Sequence, residues 1–222
     1  MPDSPGRPRL HAPALFVLLV AVAFAAPARE DQILILGNPA GTQTATRQGG
    51  TARAEYSFND RGRGDHIVAT WKLDAAGVLT EYRASGNDYV KAAVTETFSI
   101  ARGRASWRNR AEQGDAAVTG EAFYVPVTAP PEMLGVLARA LLKAPEHRLA
   151  LLPAGEATIE AVGALPQDAS AGPAPAIIQY QISGLDFSPA HIWLDQDGET
   201  VAIVSLPSRS CTSTVVRALL SS

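Results

Sequence analysis

Between Thr51 and Asn109 the chain alternates apolar and polar residues with period two, and this pattern constrains the fold more than any other feature. Ala52, Ala54, Tyr56 and Phe58 alternate with Thr51, Arg53, Glu55 and Ser57. Ile67, Ala69, Trp71 and Leu73 do the same with His66, Thr70 and Lys72, Val68 being the exception. The pattern continues through Val78–Ser85, Val94–Ile100 and Arg104–Arg108. Successive strand side chains point to opposite faces, so period two means one buried and one wet face. Asp74-Ala75-Ala76-Gly77 and Ala101-Arg102-Gly103 place glycine where hairpins need positive φ. One-sided antiparallel strands with short turns make a meander rather than a βαβ sheet.

Further strands are expected at 32–36, 42–47, 123–125, 157–162, 177–183 and 200–205. Gly37-Asn38-Pro39-Ala40-Gly41 reads as a break, and Asn109–Gly120 as a polar, solvent-facing stretch. Leu165–Ala176, rich in Pro, Ala and Ser, reads as a mobile loop. Trp193-Leu194-Asp195-Gln196-Asp197-Gly198 echoes Trp71–Gly77, which predicts two similar hairpins.

The spacing predicts one helix, over 130–144. Pro130 and Pro131 suit its first turn, Lys143 its C-terminal dipole, and Pro145 stops it. Glu132, Gly135, Arg139 and Lys143 trace one narrow stripe, and apolar residues cover the rest of the circumference. A helix this apolar needs cover on more than one side. The expected fold is therefore α+β and mostly β: a curved antiparallel meander sheet, a half-barrel of lipoprotein-carrier-like shape, wrapped around one apolar helix.

At the N-terminus, Arg7 and Arg9 precede an apolar run of 12 residues, Leu15–Ala26, with small-x-small cleavage sites at Ala23-Phe24-Ala25 and Ala26-Pro27-Ala28. The run is short for a bilayer span and fits an export signal. Residues 1–28 are read as a signal peptide, 29–206 as the β-rich domain and 207–222 as a divergent, disordered tail. The expected location is the periplasm or the exterior, with no stable membrane span after cleavage.

The formal net charge of −3 over 222 residues argues against nucleic-acid binding. His66, His147 and His191 lack ligand spacing, and Cys211, the single cysteine, has no catalytic signature around it. Asp195-Gln196-Asp197-Gly198 begins like a calcium loop but lacks the distal glutamate, so a hairpin turn accounts for it better. Asn59–Asp65 reads as a charged loop braced by local ion pairs rather than as a displayed Arg63-Gly64-Asp65 recognition tripeptide. Glu96 interrupts an apolar face and is expected to pair with Arg104 or Arg108, or to sit at a sheet edge. No catalytic residue, metal ligand or cofactor is assigned from the residues.

Tyr56–His66, Ala69-Thr70-Trp71, Glu81-Tyr82, Gly86–Tyr89, Phe123–Pro126 and Leu137–Leu142 together resemble the N-terminal region of exported amidohydrolase-family enzymes. The resemblance covers about residues 30–205. It implies a β-rich segment that supports or docks onto a metal-dependent (β/α)8 barrel. The family's His-x-His lies in that barrel, and this sequence ends before any such motif, as if truncated. The resemblance thus implies a hydrolase lineage without catalytic residues in this chain. The alternative from the fold is a free-standing periplasmic module for a lipid or another hydrophobic ligand.

Overall fold

The computed structural model describes residues 28–165, 176–205 and 213–217. The expected export signal, Cys211 and most of the Leu165–Ala176 loop lie outside them.

The strands in chain order are β1 (Arg29–Ile35), β2 (Asn38–Gln48), β3 (Thr51–Phe58), β4 (His66–Leu73), β5 (Leu79–Asn87), β6 (Ala93–Ala101), β7 (Arg104–Arg108), β8 (Gln113–Ala117) and β9 (Ala122–Tyr124). Helix α1 (Glu132–Lys143) follows. Then come β10 (Arg148–Leu152), β11 (Glu156–Ala164), β12 (Ile178–Ser183), β13 (Ala190–Leu194), β14 (Thr200–Ser205) and β15 (Ser213–Arg217).

All of these strands belong to one sheet, in the order β8-β7-β6-β5-β4-β3-β2-β1-β15-β14-β13-β12-β11-β10-β9. Every neighbouring pair is antiparallel except β9 and β10. A parallel pair needs a crossover, and α1 supplies it. The two edge strands, β8 and β9, are consecutive in sequence, joined only by residues 118–121. So short a link brings the two ends of the ribbon together, and the sheet must curl. Tyr124 of β9 stacks on Phe98 of β6 at 4.3 Å and meets Trp107 of β7 at 6.3 Å, which ties that edge to the inner face of the other arm.

The expected α+β fold, a curved antiparallel sheet around one apolar helix, is the observed one. The inner faces bury Ala54, Ala69, Trp71, Tyr82, Phe98 and Trp107, while the alternating residues face out. This is the inverse of a membrane barrel, whose outward band is apolar. Among the described residues, no helix is long and apolar enough to cross a membrane.

Helix α1 is covered on more than one side. Met133, Val136, Leu137, Ala140 and Leu141 are buried. Gly77, in the turn after β4, lies against Ala140 on one side. On another, a Cβ at Gly135 would fall 2.3 Å from Thr200 Oγ1 of β14, so only glycine permits this approach. Gly135 and Glu132 are therefore interior residues, although the sequence places them on the helix's polar stripe. Gln43 of β2 caps the helix through Oε1, which accepts from the Glu132 amide at 2.8 Å.

The echoed hairpins are the same turn. Asp74 Oδ1 accepts from the amides of Gly77 and Val78; Asp195 Oδ1 accepts from those of Asp197 and Glu199. Gly77 and Gly198 take φ of +91° and +77°. The Asp195–Gly198 segment is thus a hairpin turn that holds its own amides with its aspartate.

Four expectations need correction. The break at 37–41 shrinks to a two-residue turn, Leu36 and Gly37, both at positive φ, as right-twisted hairpins favour. Asn109–Gly120 contains β8, which pairs with β7 along its length. Arg148–Leu152 forms β10, an additional strand. Within the tail, Ser213–Arg217 forms β15, hydrogen-bonded to both β1 and β14. Its Thr-Val-Val core is β-branched and suits a strand paired on both sides.

Candidate functional site

At one end of the curl, three turns converge over α1: Gln48–Gly50 after β2, Asp74–Val78 after β4, and Asp195–Glu199 after β13. Two adjoining hollows of about 270 and 220 Å³ open there, sharing Arg47, Ala52 and Trp71. Their apolar floor is Trp71, Ala52 and Val136, all buried, with Leu73 beside them. Their rim carries Arg29, Arg47, Arg139 and Lys143. Each hollow lies just under the size of a drug-like pocket, so together they suit a small ligand or the head of a longer one.

The rim cations divide into two kinds. Arg29 and Arg139 are committed to a buried network. Arg29 holds Asp31 through Nε at 3.1 Å and Nη2 at 2.9 Å, Glu199 through Nη1 at 3.1 Å, and Glu132 through Nη2. Arg139 donates to Glu132 Oε1 at 2.8 Å and to the Gly198 carbonyl at 3.3 Å. Gln43 Nε2 donates to Asp31 at 2.8 Å. Asp31 and Glu132 are 2% and 4% exposed, so the guanidinium of Arg29 is what makes their burial tolerable. Burial alone would lower the Arg29 pKa, but Glu132 and Asp31 more than offset it and the net shift is upward. By contrast, Arg47 and Lys143 are exposed and make no ion pair among the described residues. The cleft therefore offers free positive charge above an apolar floor.

The other candidates resolve differently. Glu96 is 1% exposed and pairs with neither Arg104 nor Arg108. It accepts from Tyr124 Oη at 2.7 Å and from the amides of Val127 and Thr128 at 3.0 and 2.6 Å. Tyr82 Oη donates to the Thr128 carbonyl at 2.5 Å. Burial, reinforced by Glu96, pushes both tyrosine hydroxyls up. Glu96 lies on the inner face with Val94 and Phe98. Arg104 and Arg108 lie on the outer face, opposite Ala101 and Thr97. Its carboxylate thus fastens the segment that leads into α1.

His66 lies 3.5 Å from Glu55, His147 is exposed, and His191 faces Gln179 at 3.4 Å. No group of three or more His, Cys, Asp or Glu that could hold a metal ion occurs among the described residues.

Loop 59–65 is braced as the sequence suggests. Arg61 pairs with Asp60, Asn59 Oδ1 accepts from the Gly62 amide, and Tyr89 Oη donates to Asp60 at 2.9 Å. Asp65 is half-buried, and burial, with Asp88 nearby and Lys91 opposing, raises its pKa. A carboxyl whose folded pKa is raised loses stability as pH climbs from the unfolded towards the folded value. Asp65→Asn is therefore expected to raise Tm more at pH 7 than at pH 3.5; an equal gain at both would contradict this.

The fold has a known counterpart. No family model matches the chain, and no curated protein does. Among solved structures, it is similar to a β-barrel-like protein of the DUF1849 domain of unknown function from Brucella abortus. The TM-score is 0.52 and the identity 12%, covering 85% of this chain and 94% of that one. A DUF1089 family protein from Pseudomonas aeruginosa aligns at a TM-score of 0.41 and 16% identity, covering 87% of this chain and 99% of that one. The first likeness shows the fold, and both are proteins of domain families without an assigned activity.

Proposed function

We propose that this chain is an exported, free-standing binding module whose cleft takes a small anionic amphiphile. The observation that carries the reading is the pairing of Arg47 and Lys143, both free of carboxylate partners, with the apolar floor of Trp71, Ala52 and Val136. In a chain of net charge −3, unpaired cations over a buried indole favour an acid head group with a short apolar tail. The buried Trp71 Nε1 has no hydrogen-bond partner, so a ligand oxygen that came to meet it would satisfy an orphaned donor.

Calorimetric titration with decanoate and decanol tests this. Wild type is expected to bind decanoate, and Arg47→Gln/Lys143→Gln to bind it at least ~10-fold more weakly, the order expected for loss of charge-assisted contacts. Decanol should bind both forms alike. A cleft that takes neither probe overturns the reading and leaves the docking role implied by the amidohydrolase resemblance as the surviving proposal.

A further inference from the structure

A second, separate feature crosses the outer face of the sheet. The register aligns Thr46, Arg53, Thr70, Arg83, Thr97, Arg108 and Gln113 in one row, one residue from each of β2 to β8. Threonine and arginine alternate along it. Neighbouring strands stand ~4.8 Å apart, so successive arginines in the row are rooted ~10 Å from one another.

The arginines are not equivalent. Arg53 is paired with Glu55 at 2.8 Å. Elsewhere on this face Lys72 is paired with Glu81 and Arg104 with Asp115. Arg83 and Arg108 are exposed and, among the described residues, have no carboxylate. They flank Thr97 and line a groove of about 430 Å³, in which Ser99 and Ser106 sit directly opposite each other. β8 adds Gln113 and Asp115, the latter already held by Arg104.

Polar outer faces are rich in threonine and arginine for ordinary reasons of strand preference and solubility. What ordinary preference does not explain is that the neighbouring cations have carboxylates while the two in the groove do not. The groove thus offers two free guanidiniums rooted ~10 Å apart, with three hydroxyls and an amide between and beside them. Guanidinium forks match carboxylates, and hydroxyls and amides match sugar hydroxyls. The two aromatics that line the groove, Phe98 and Trp107, are buried with the inner face and offer no exposed ring to stack a base, which disfavours single-stranded nucleic acid.

We propose that the outer face of β5 to β8 is a binding site for a linear acidic polysaccharide, whose carboxylates meet Arg83 and Arg108 while its hydroxyls meet Thr97, Ser99, Ser106 and Gln113. This site is independent of the cleft over α1, which lies on the inner side of the sheet.

Fluorescence anisotropy with a labelled oligogalacturonate tests it, with its methyl-esterified form and oligothymidylate as controls. Wild type is expected to bind the acid oligosaccharide and to lose at least ~10-fold in affinity as Arg83→Gln/Arg108→Gln, since two charge-assisted contacts go. Thr97→Val should cost roughly 3-fold, the order expected for one neutral hydrogen bond. Arg53→Gln, whose arginine is already paired, should change affinity less than about 2-fold. Unchanged thermal melting of each variant separates loss of binding from loss of fold. Absence of wild-type binding, retention of binding by the double variant, or equal binding of oligothymidylate would each overturn the proposal.

Discussion

Replacing Arg29 by methionine is expected to destabilise the fold by about 3–5 kcal/mol, the range for removing one partner from a buried ion pair. Methionine keeps most of the packing volume but leaves Asp31 and Glu132 as buried carboxylates without their shared cation. Arg139 still holds Glu132, whereas among the described side chains Arg29 is the arginine that pairs with Asp31. The same change frees β1 from both Glu199 and the start of α1. Urea unfolding at neutral pH checks this, through a lower midpoint at unchanged slope. The double variant Arg29→Met/Glu132→Met should recover part of the loss, because an apolar pair can replace a buried ionic one. A single-variant cost below about 1 kcal/mol would show the network to be solvated and its charges replaceable.

The second large effect is expected at Glu96. Glu96→Ala removes the acceptor for one tyrosine hydroxyl and two backbone amides. Each buried donor left unmet costs on the order of 1–3 kcal/mol, so about 3–5 kcal/mol in total is expected after local relaxation. Glu96→Gln keeps the shape and one acceptor oxygen, and should cost roughly half as much. Because Glu96 holds the approach to α1, hydrogen exchange should rise first at Val127, Thr128 and the first turn of the helix. Protection unchanged there, with loss spread evenly over the sheet, would contradict this role.

How much of this was legible in the sequence depends on whether a feature is local. Alternation from Thr51 to Arg108 defined five strands, because each carries its inner and outer faces in its own residues. The Asp74 and Asp195 turns were legible for the same reason: aspartate and glycine make the turn within a few residues. β8 was missed because Gln-Gly-Asp-Ala-Ala has no large apolar face; its partner Trp107 covers Gly114, where a Cβ would fall 2.5 Å from the ring. β15 is masked by the Ser/Thr-rich composition of the tail, although Thr214, Val215 and Val216 are β-branched. Parity alone separates Glu96 from Arg104 and Arg108, which alternate with the buried Ala105 and Trp107 and so belong to the outer face.

The two candidate sites were not legible in this way. Arg29 and Glu132 are 103 positions apart, and only closure of the curl brings them together. The polar stripe on α1 was visible, but which of its members would be buried depended on where β2 and β14 cross it. The threonine–arginine row exists only once six strand registers are known, since a slip of one residue in any strand would turn its member inward.

The cleft is the centre of this account, and contact quenching by a brominated decanoate tests it most directly. Bromine quenches an indole it touches, and of the three tryptophans in the chain only Trp71 lines the cleft. Saturable quenching in the wild type that disappears in Trp71→Phe, with Trp107 and Trp193 still emitting, is the predicted result. No quenching, or quenching that persists undiminished in Trp71→Phe, would contradict it.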